Sequence, residues 1–175
     1  MKKENIKLIK LFETVINEVG DLKNIPNYDY TLTNGGGRFQ FDFENKKYKC
    51  KVEFEHVDTN MNSSFILPPI INHNNKEIVN ISFDVEGHDT QYLQTNYKIL
   101  LGILKTVTSI INDSLSKYSD DTIFVIFAAS KKGIGFNDPQ KMKLYKLVLQ
   151  KNVPNGYRIG DGTFMKNKLI FLTKA

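Results

Sequence analysis

The sequence is short of cysteine and of long apolar runs. Cys50 is the single cysteine, so no disulfide can form within the chain, which indicates a reducing compartment. No stretch approaches the roughly 18 apolar residues of a transmembrane helix. Met1–Lys3 resembles the start of a signal peptide, but Lys7, Lys10 and Glu13 interrupt the apolar region that would have to follow. We therefore expect a cytoplasmic protein that does not insert into a membrane.

The chain is also short of arginine, although it is basic. Its formal net charge is +5, yet only Arg38 and Arg158 are arginines among its 24 basic residues. Base readout and bidentate phosphate binding depend on the arginine fork, so sequence-specific nucleic-acid recognition is not indicated. The lysines are interleaved with acidic residues, which is typical of a solvated surface. A weak, salt-sensitive nucleic-acid binder is a third hypothesis. It would use the basic residues around Tyr48, namely Lys46, Lys47, Lys49 and Lys51.

The first half of the chain predicts a helix followed by strands. With 175 residues, 41% of them hydrophobic, the chain suits one domain over residues 1–175. Apolar residues at helical spacing predict a helix over Asn5–Val19. Alternating or β-rich segments predict four strands, at Tyr28–Thr33, Arg38–Phe43, Tyr48–Val57 and Glu77–Val85. Asn34-Gly35 between the first two is a strong hairpin signal.

The second half predicts two helices around a buried strand. Thr122–Ser130 is almost continuously apolar, which is typical of a strand covered on both faces. The helix predicted at Asn96–Lys117 is long enough to cross over from Glu77–Val85 and make these strands parallel. The remaining predicted elements are a loop at Lys131–Pro139, a helix at Gln140–Gln150, and strands at Tyr157–Ile159 and Lys168–Thr173 around a turn at Asp161-Gly162. The fold class is α+β, a mainly antiparallel twisted sheet with helices on its faces, in the order α-β-β-β-β-α-β-α-β-β.

Two loops carry candidate functional residues. Asp58–Lys76 is unusually long for a compact domain, and such loops are often functional. Its apolar segment either packs back on the sheet or faces a partner, which would be another protein or a second copy of the chain. The candidate contact residues are Ile66, Leu67, Pro68, Pro69, Ile70 and Ile71. Glu86-Gly87-His88-Asp89 has ligand-type side chains, but no second cluster accompanies it, so we expect a polar loop and no metal site.

The order of elements resembles the GCN5-related N-acetyltransferase fold, best over Ile78–Ala175. The segments in corresponding places are Phe124–Ser130, Asn137, Leu144-Tyr145, Gly156-Tyr157 and Leu169–Leu172. The resemblance implies acetyl-CoA as cofactor, with Asn137 contacting its pantetheine arm. It also implies that Tyr145 is the general acid that protonates the departing thiolate. The base would be one of three carboxylates, Glu53, Glu55 or Asp84.

The chain departs from this family where the pyrophosphate should bind. The family's glycine-containing turn at the start of the central helix has no counterpart in Tyr92–Lys98. Gly133 and Gly135 form a G-x-G between a strand and a helix, but later in the chain, and they remain candidates for cofactor contact with Asn137. We therefore expect a non-enzymatic binding or structural protein without a cofactor. An acyl-CoA-dependent N-acetyltransferase with Tyr145 as general acid is the alternative.

A second resemblance concerns origin rather than chemistry. Short segments resemble a family of small uncharacterised proteins of gut-type bacteria and their phages. These segments are Val79–Phe83, Asn96, Leu104–Val107, Phe124–Ser130 and Lys143–Tyr145. The resemblance implies no reaction. It implies a phage or mobile-element product, which would reside in the host cytoplasm or in the virion.

Overall fold

A computed structural model describes residues 25–73, 76–86, 97–127, 129–130, 133–137, 139–165 and 167–175. These residues form strands β1 (Tyr30–Thr33), β2 (Gly36–Phe43), β3 (Lys46–His56), β4 (Phe65–Ile66), β5 (Ile78–Glu86), β6 (Ile123–Ile126), β7 (Ala129–Ser130), β8 (Gly133–Asn137), β9 (Tyr157–Phe164) and β10 (Asn167–Lys174). They also form helices α1 (Tyr97–Leu115) and α2 (Pro139–Asn152) and a 3-10 helix (Thr59–Ser64). The predicted mixed α+β class is confirmed.

Eight of the described strands form one sheet, in the order β1-β2-β3-β5-β6-β10-β9-β4. All neighbours among them are antiparallel except β5 and β6, in which Ile78–Ile81 runs parallel to Ile123–Ile126. Helix α1 joins these two strands, as a crossover between parallel strands requires. The predictions of a mainly antiparallel sheet and of a helical crossover are confirmed.

Two tight hairpins form the β1–β3 end of the sheet. Asn34-Gly35 connects β1 to β2, and Glu44-Asn45 connects β2 to β3 with both residues at positive φ, 50° and 61°. Two-residue hairpins favour such turns because their twist matches that of the strands. Gly36 has a φ of +139°, and a Cβ there would lie 1.9 Å from the carbonyl oxygen of Val52. Only glycine therefore allows β2 to pass so close to β3.

One face of the sheet, called here the helix face, packs against α1 and α2. Alternate residues of β2 and β3 enter this core, as their period of two predicts: Phe39, Phe41, Tyr48, Cys50, Val52 and Phe54. Gly102 of α1 allows the segment before β1 to approach, since a Cβ there would lie 3.1 Å from the Tyr28 ring. The backbone N–H of Tyr28 donates to Thr106 Oγ1 (2.9 Å), whose hydroxyl donates to the Gly102 carbonyl (2.9 Å). The two hydrogen bonds fix this segment to α1.

The opposite face, called here the loop face, is covered in part by the chain between β3 and β5. A second core lies beneath it, made of Phe65, Leu67, Ile71, Ile78, Ile123, Val125, Leu169 and Phe171. All four residues of β6 are buried, so the prediction of a strand covered on both faces is confirmed for Ile123–Ile126. The sequence predicts no strand between β3 and β5, but β4 forms there. It pairs with the end of β9, where the Phe65 and Phe164 rings pack with centroids 4.5 Å apart.

The predicted single strand Thr122–Ser130 and the predicted loop Lys131–Pro139 are wrong. β6 ends at Ile126, and β7 pairs with β8 in a separate two-stranded sheet. β8 falls inside the predicted loop. Its residues, Gly-Ile-Gly-Phe-Asn, alternate small or polar with apolar ones, which is the period of a strand.

The predicted turn at Asp161-Gly162 is also wrong. Both residues lie within β9, and the turn to β10 falls at Met165, which has a φ of 46°. The glycines of β9 instead allow neighbouring side chains to approach its backbone closely. A Cβ on Gly160 would lie 2.4 Å from the Phe171 ring, and one on Gly162 would lie 2.5 Å from the side chain of Leu67.

Some sequence predictions concern residues that the structure does not describe. They are the helix at Asn5–Val19, the first residue of the helix at Asn96–Lys117 and the segment Gly87-His88-Asp89.

Candidate functional site

Large hydrophobic side chains are exposed mainly at the β4 edge of the sheet. Ile66 is 70% exposed, Ile70 73% and Met165 58%, and the other exposed large hydrophobic residue in the described chain is Leu32 at 38%. The backbone N–H of Met165 donates to the carbonyl oxygen of Ser64, which places it beside β4. We call Ile66, Ile70 and Met165 the apolar patch. Exposed apolar side chains grouped at one place indicate a contact surface.

The loop that carries this patch is anchored by its own hydrophobic residues. Phe65, Leu67 and Ile71 are buried, at 3%, 7% and 8% exposure, and they flank the exposed Ile66 and Ile70. The sequence left open whether the apolar segment packs back or faces outward. Both occur, since Leu67 and Ile71 enter the core whereas Ile66 and Ile70 point to solvent.

Hydrogen bonds hold the same loop from within. The N–H of Ile71 donates to the carbonyl oxygen of Pro68 at 2.8 Å. The buried Asn62 donates through Nδ2 to the carbonyl oxygens of His73 (3.4 Å) and Lys76 (3.0 Å). Because Asn62 ties the start of the loop to its end, the exposed isoleucines between them stand on a fixed support.

A groove of about 710 Å³ lies beside the patch, between the loop, α2 and the β9–β10 hairpin. Its lining includes Ile66, Leu67, Met142, Lys143, Thr163 and Lys168, with Pro68 and Pro69 at the loop side. Lys146 also lines it, and its Nζ lies 2.5 Å from Asp161 Oδ2, which joins α2 to β9. The groove is therefore apolar with a basic rim, and its size falls within the range of ligand sites.

Strand β4 covers only the end of β9. Its two residues pair with Thr163 and Phe164, and the backbone N–H of Met165 adds one bond to Ser64. Pro68, two residues after β4, has no N–H with which the pairing could continue. The rest of β9 therefore has no strand on this side in the described part of the chain.

Hydrogen bonding to β10 shows which backbone N–H and C=O groups of β9 face away from β10. The N–H of Ala175 donates to the carbonyl oxygen of Gly156 at 2.7 Å. Since hydrogen-bonded pairs alternate along an antiparallel ladder, even-numbered residues of β9 bond to β10. The N–H and C=O groups of Tyr157, Ile159 and Asp161 point the other way, toward the open edge.

Tyr145 lies where the parallel strands β5 and β6 separate. The register of the pair ends at Ile81 and Ile126, while β5 continues to Glu86. The Tyr145 ring meets that of Phe83 edge to face, with centroids 5.3 Å apart. The cavity beside these two rings, between both strands and both helices, measures only about 20 Å³. The helix face is thus almost filled at this point.

The other candidate residues of the acetyltransferase hypothesis lie on other elements than Tyr145. The two-stranded β7–β8 sheet contains Gly133, Gly135 and Asn137. The proposed bases alternate with helix-face residues of β3 and β5, so they lie on the loop face: Glu53, Glu55 and Asp84. Tyr145 packs on the helix face. The prediction of a base among these carboxylates is wrong, because the sheet separates them from Tyr145.

The lysines of β3 lie among charges of both signs. Tyr48 is 1% exposed and belongs to the core, so the prediction that it accompanies these lysines at a nucleic-acid surface is wrong. A concavity of about 890 Å³ at the β1–β3 end is lined by Arg38, Lys49 and Lys51 but also by Asp29 and Glu86. In the described chain this surface lacks the one-sided charge that nucleic-acid binding requires.

Sequence reasoning missed a polar cluster where β3 ends and β5 and β6 begin. His56 Nδ1 lies 2.9 Å from Glu77 Oε1, and Thr122 Oγ1 donates to Glu77 Oε2 at 2.6 Å. Tyr118 packs beside His56, and burial followed by the charge of Glu77 raises the pKa of its hydroxyl. The cluster ties the end of β3 to the starts of β5 and β6. The spacing of these residues along the sequence does not predict the cluster.

Cys50 is an inert thiol. It is 3% exposed, and burial, with a smaller effect of Asp84, raises the pKa of its thiol to about 12. Within the described ranges, no group of three or more His, Cys, Asp or Glu side chains could hold a metal ion. No helix in those ranges is long and apolar enough to cross a membrane.

Comparison of the chain with protein-family models, curated proteins and solved structures finds no match.

Proposed function

We propose that this chain is a non-enzymatic protein-binding module on an acetyltransferase-like scaffold, with the apolar patch and the adjoining groove as its contact surface. The observation that carries the proposal is that buried and exposed apolar residues alternate within one loop. Phe65, Leu67 and Ile71 are buried and fix the backbone, so Ile66 and Ile70 are held in place before a partner arrives. Presenting side chains on a fixed support reduces the entropy lost on binding. Apolar residues beside a charged rim suit a protein interface.

The order of elements supports the acetyltransferase-like scaffold. Strand β5, helix α1, strand β6 and helix α2 follow one another, and a hairpin of β9 and β10 comes last. The filled space near Tyr145 supports a role without catalysis. Ligand pockets commonly measure about 300–1,000 Å³, whereas the cavity beside Tyr145 is about 20 Å³.

A selection of random displayed peptides of about twelve residues tests the contact surface. Peptides selected on the wild-type protein should bind the double variant Ile66→Ser, Ile70→Ser at least about tenfold more weakly, because anchor side chains dominate interface energies. Leu32→Ser is the matched control, since Leu32 is also exposed but lies on β1 at the far edge of the sheet. The proposal would be overturned if no peptide were enriched, or if the selected peptides bound the double variant as tightly as they bind Leu32→Ser.

An acyl-CoA-dependent N-acetyltransferase is the second candidate. Its supporting observation is that Tyr145, the general acid that the resemblance implies, lies where β5 and β6 separate. A ligand at a hundred times its dissociation constant adds about 2.7 kcal/mol, which corresponds to about 5 to 10 °C for a chain of this size. We expect millimolar CoA to leave the unfolding temperature unchanged. A shift of that size, lost on disruption of the β5–β6 opening by Phe83→Trp, would favour the enzyme.

A further inference from the structure

We propose that the groove binds an extended peptide with alternating apolar and acidic side chains, which joins the sheet as an added strand on the open edge of β9. This inference rests on the proposed function, and it specifies the conformation and the chemistry of the partner.

The backbone of β9 provides the docking line, which leaves the groove at Asp161 and continues along the edge of the sheet to Tyr157. The N–H and C=O groups of Tyr157, Ile159 and Asp161 face outward, and no strand of the described chain pairs with them. The stretch from Tyr157 to Asp161 spans about 13 Å at roughly 3.3 Å per residue, which suits a segment of five or six residues. An added strand would continue the line of β4, whose pairing stops before Pro68. Main-chain hydrogen bonds of this kind provide affinity, and side-chain pockets provide specificity.

The two sides of the groove differ in chemistry. On the loop face the added strand would meet Leu67, which belongs to the second core and lines the groove. On the helix face it would meet α2, which offers Lys143 beside the Lys146–Asp161 ion pair. Because side chains of a strand alternate between faces, a matching peptide has apolar residues at every second position and acidic residues between them.

The charge of the chain favours a different protein over a second copy. The net charge is +5, and a second copy would bring the same charge to the same lysines. The exposed Arg158 and Asp161 also place charge along the open edge of β9, which disfavours pairing between identical edges. An acidic segment of a partner is attracted to the lysines of the basic rim.

Peptides from the selection described for the patch test the chemistry. The enriched sequences should alternate apolar residues with aspartate or glutamate. Lys143→Glu should weaken their binding about fivefold to tenfold, since it replaces attraction by repulsion. Lys151→Glu is the matched control, because Lys151 is also exposed on α2 but does not line the groove.

Amide hydrogen exchange with the enriched peptide tests the added strand. On binding, the amides of Tyr157, Ile159 and Asp161 should become protected, while those of Arg158 and Gly160, already bonded to β10, should change little. Methylation of every second backbone nitrogen of the peptide should abolish binding in one register and spare it in the other. Enriched peptides that depend on Ile66 and Ile70 but lack this alternation would overturn the added strand and leave the proposed function standing. Peptides that ignore the patch, or no enrichment at all, would overturn both.

Discussion

Replacing Leu67 by alanine should destabilise the protein far more than replacing its neighbour Ile66. Leu67 is 7% exposed and lies in the core beneath the loop, and Leu→Ala substitutions at such sites cost about 2–5 kcal/mol. The groove opens beside Leu67, so the loop can settle partly into the space, and we expect about 2–3 kcal/mol. Ile66 is 70% exposed, so Ile66→Ala should stay within about 0.5 kcal/mol of the wild type.

Equilibrium urea unfolding followed by far-UV circular dichroism measures both variants. The chain has no tryptophan, so backbone dichroism is the natural signal. The slope m should be unchanged, because the same surface is exposed on unfolding. With m of about 2 kcal/mol/M, the midpoint of Leu67→Ala should fall by about 1–1.5 M.

Equal midpoints for the two variants, or a larger loss for Ile66→Ala, would refute the packing assigned to the loop. The apolar patch would lose its support with it, since its exposed isoleucines would no longer stand on a buried anchor. A smaller m for Leu67→Ala would have a different meaning, namely that the loop detaches while the sheet stays folded.

Three further predictions use the same unfolding assay. Gly36→Ala should cost more than about 3 kcal/mol, because its Cβ would collide with the backbone of β3 at a positive φ, whereas Gly35→Ala, whose Cβ would lie 3.9 Å from the Phe54 carbonyl oxygen, should be near neutral. Thr106→Val should cost about 1–2 kcal/mol, since a backbone N–H loses its acceptor, and Thr108→Val, which breaks only a bond within α1, should cost less. Stability should fall as pH rises from about 9 toward 12, because the thiol of Cys50 ionises near 9.0 when unfolded but near 12 when folded, and Cys50→Ala should flatten this fall. Equal losses within either pair, or parallel pH curves, would contradict these expectations.

The antiparallel half of the sheet could be predicted because its evidence is local. The predicted strand Tyr48–Val57 alternates apolar and charged residues along its whole length, and the structure forms β3 there with one buried face. Asn34-Gly35 marks the first hairpin for the same reason, since turn geometry depends on the turn residues themselves. The crossover followed from the length of the connecting helix.

The features that the sequence did not predict share a cause, because each depends on contacts between residues distant in sequence. β4 has two residues and no pattern of its own, and it exists because Phe65 packs on Phe164. β6 stops at Ile126 although the apolar run continues, since pairing with β5 and β10 ends there. The groove was missed because Lys143 looks like any solvated helix residue until the fold brings Ile66 to it.

The position of β10 has a consequence for how this protein is made. Along the chain β10 is the last described strand, yet in the sheet it lies between β6 and β9. Until residues 167–174 have left the ribosome, β6 has an unpaired edge and apolar side chains on both faces. Such an edge invites pairing with other nascent chains. A ribosome stalled before Asn167 should therefore carry a nascent chain that chaperones bind. The chaperones should dissociate soon after β10 inserts between β6 and β9.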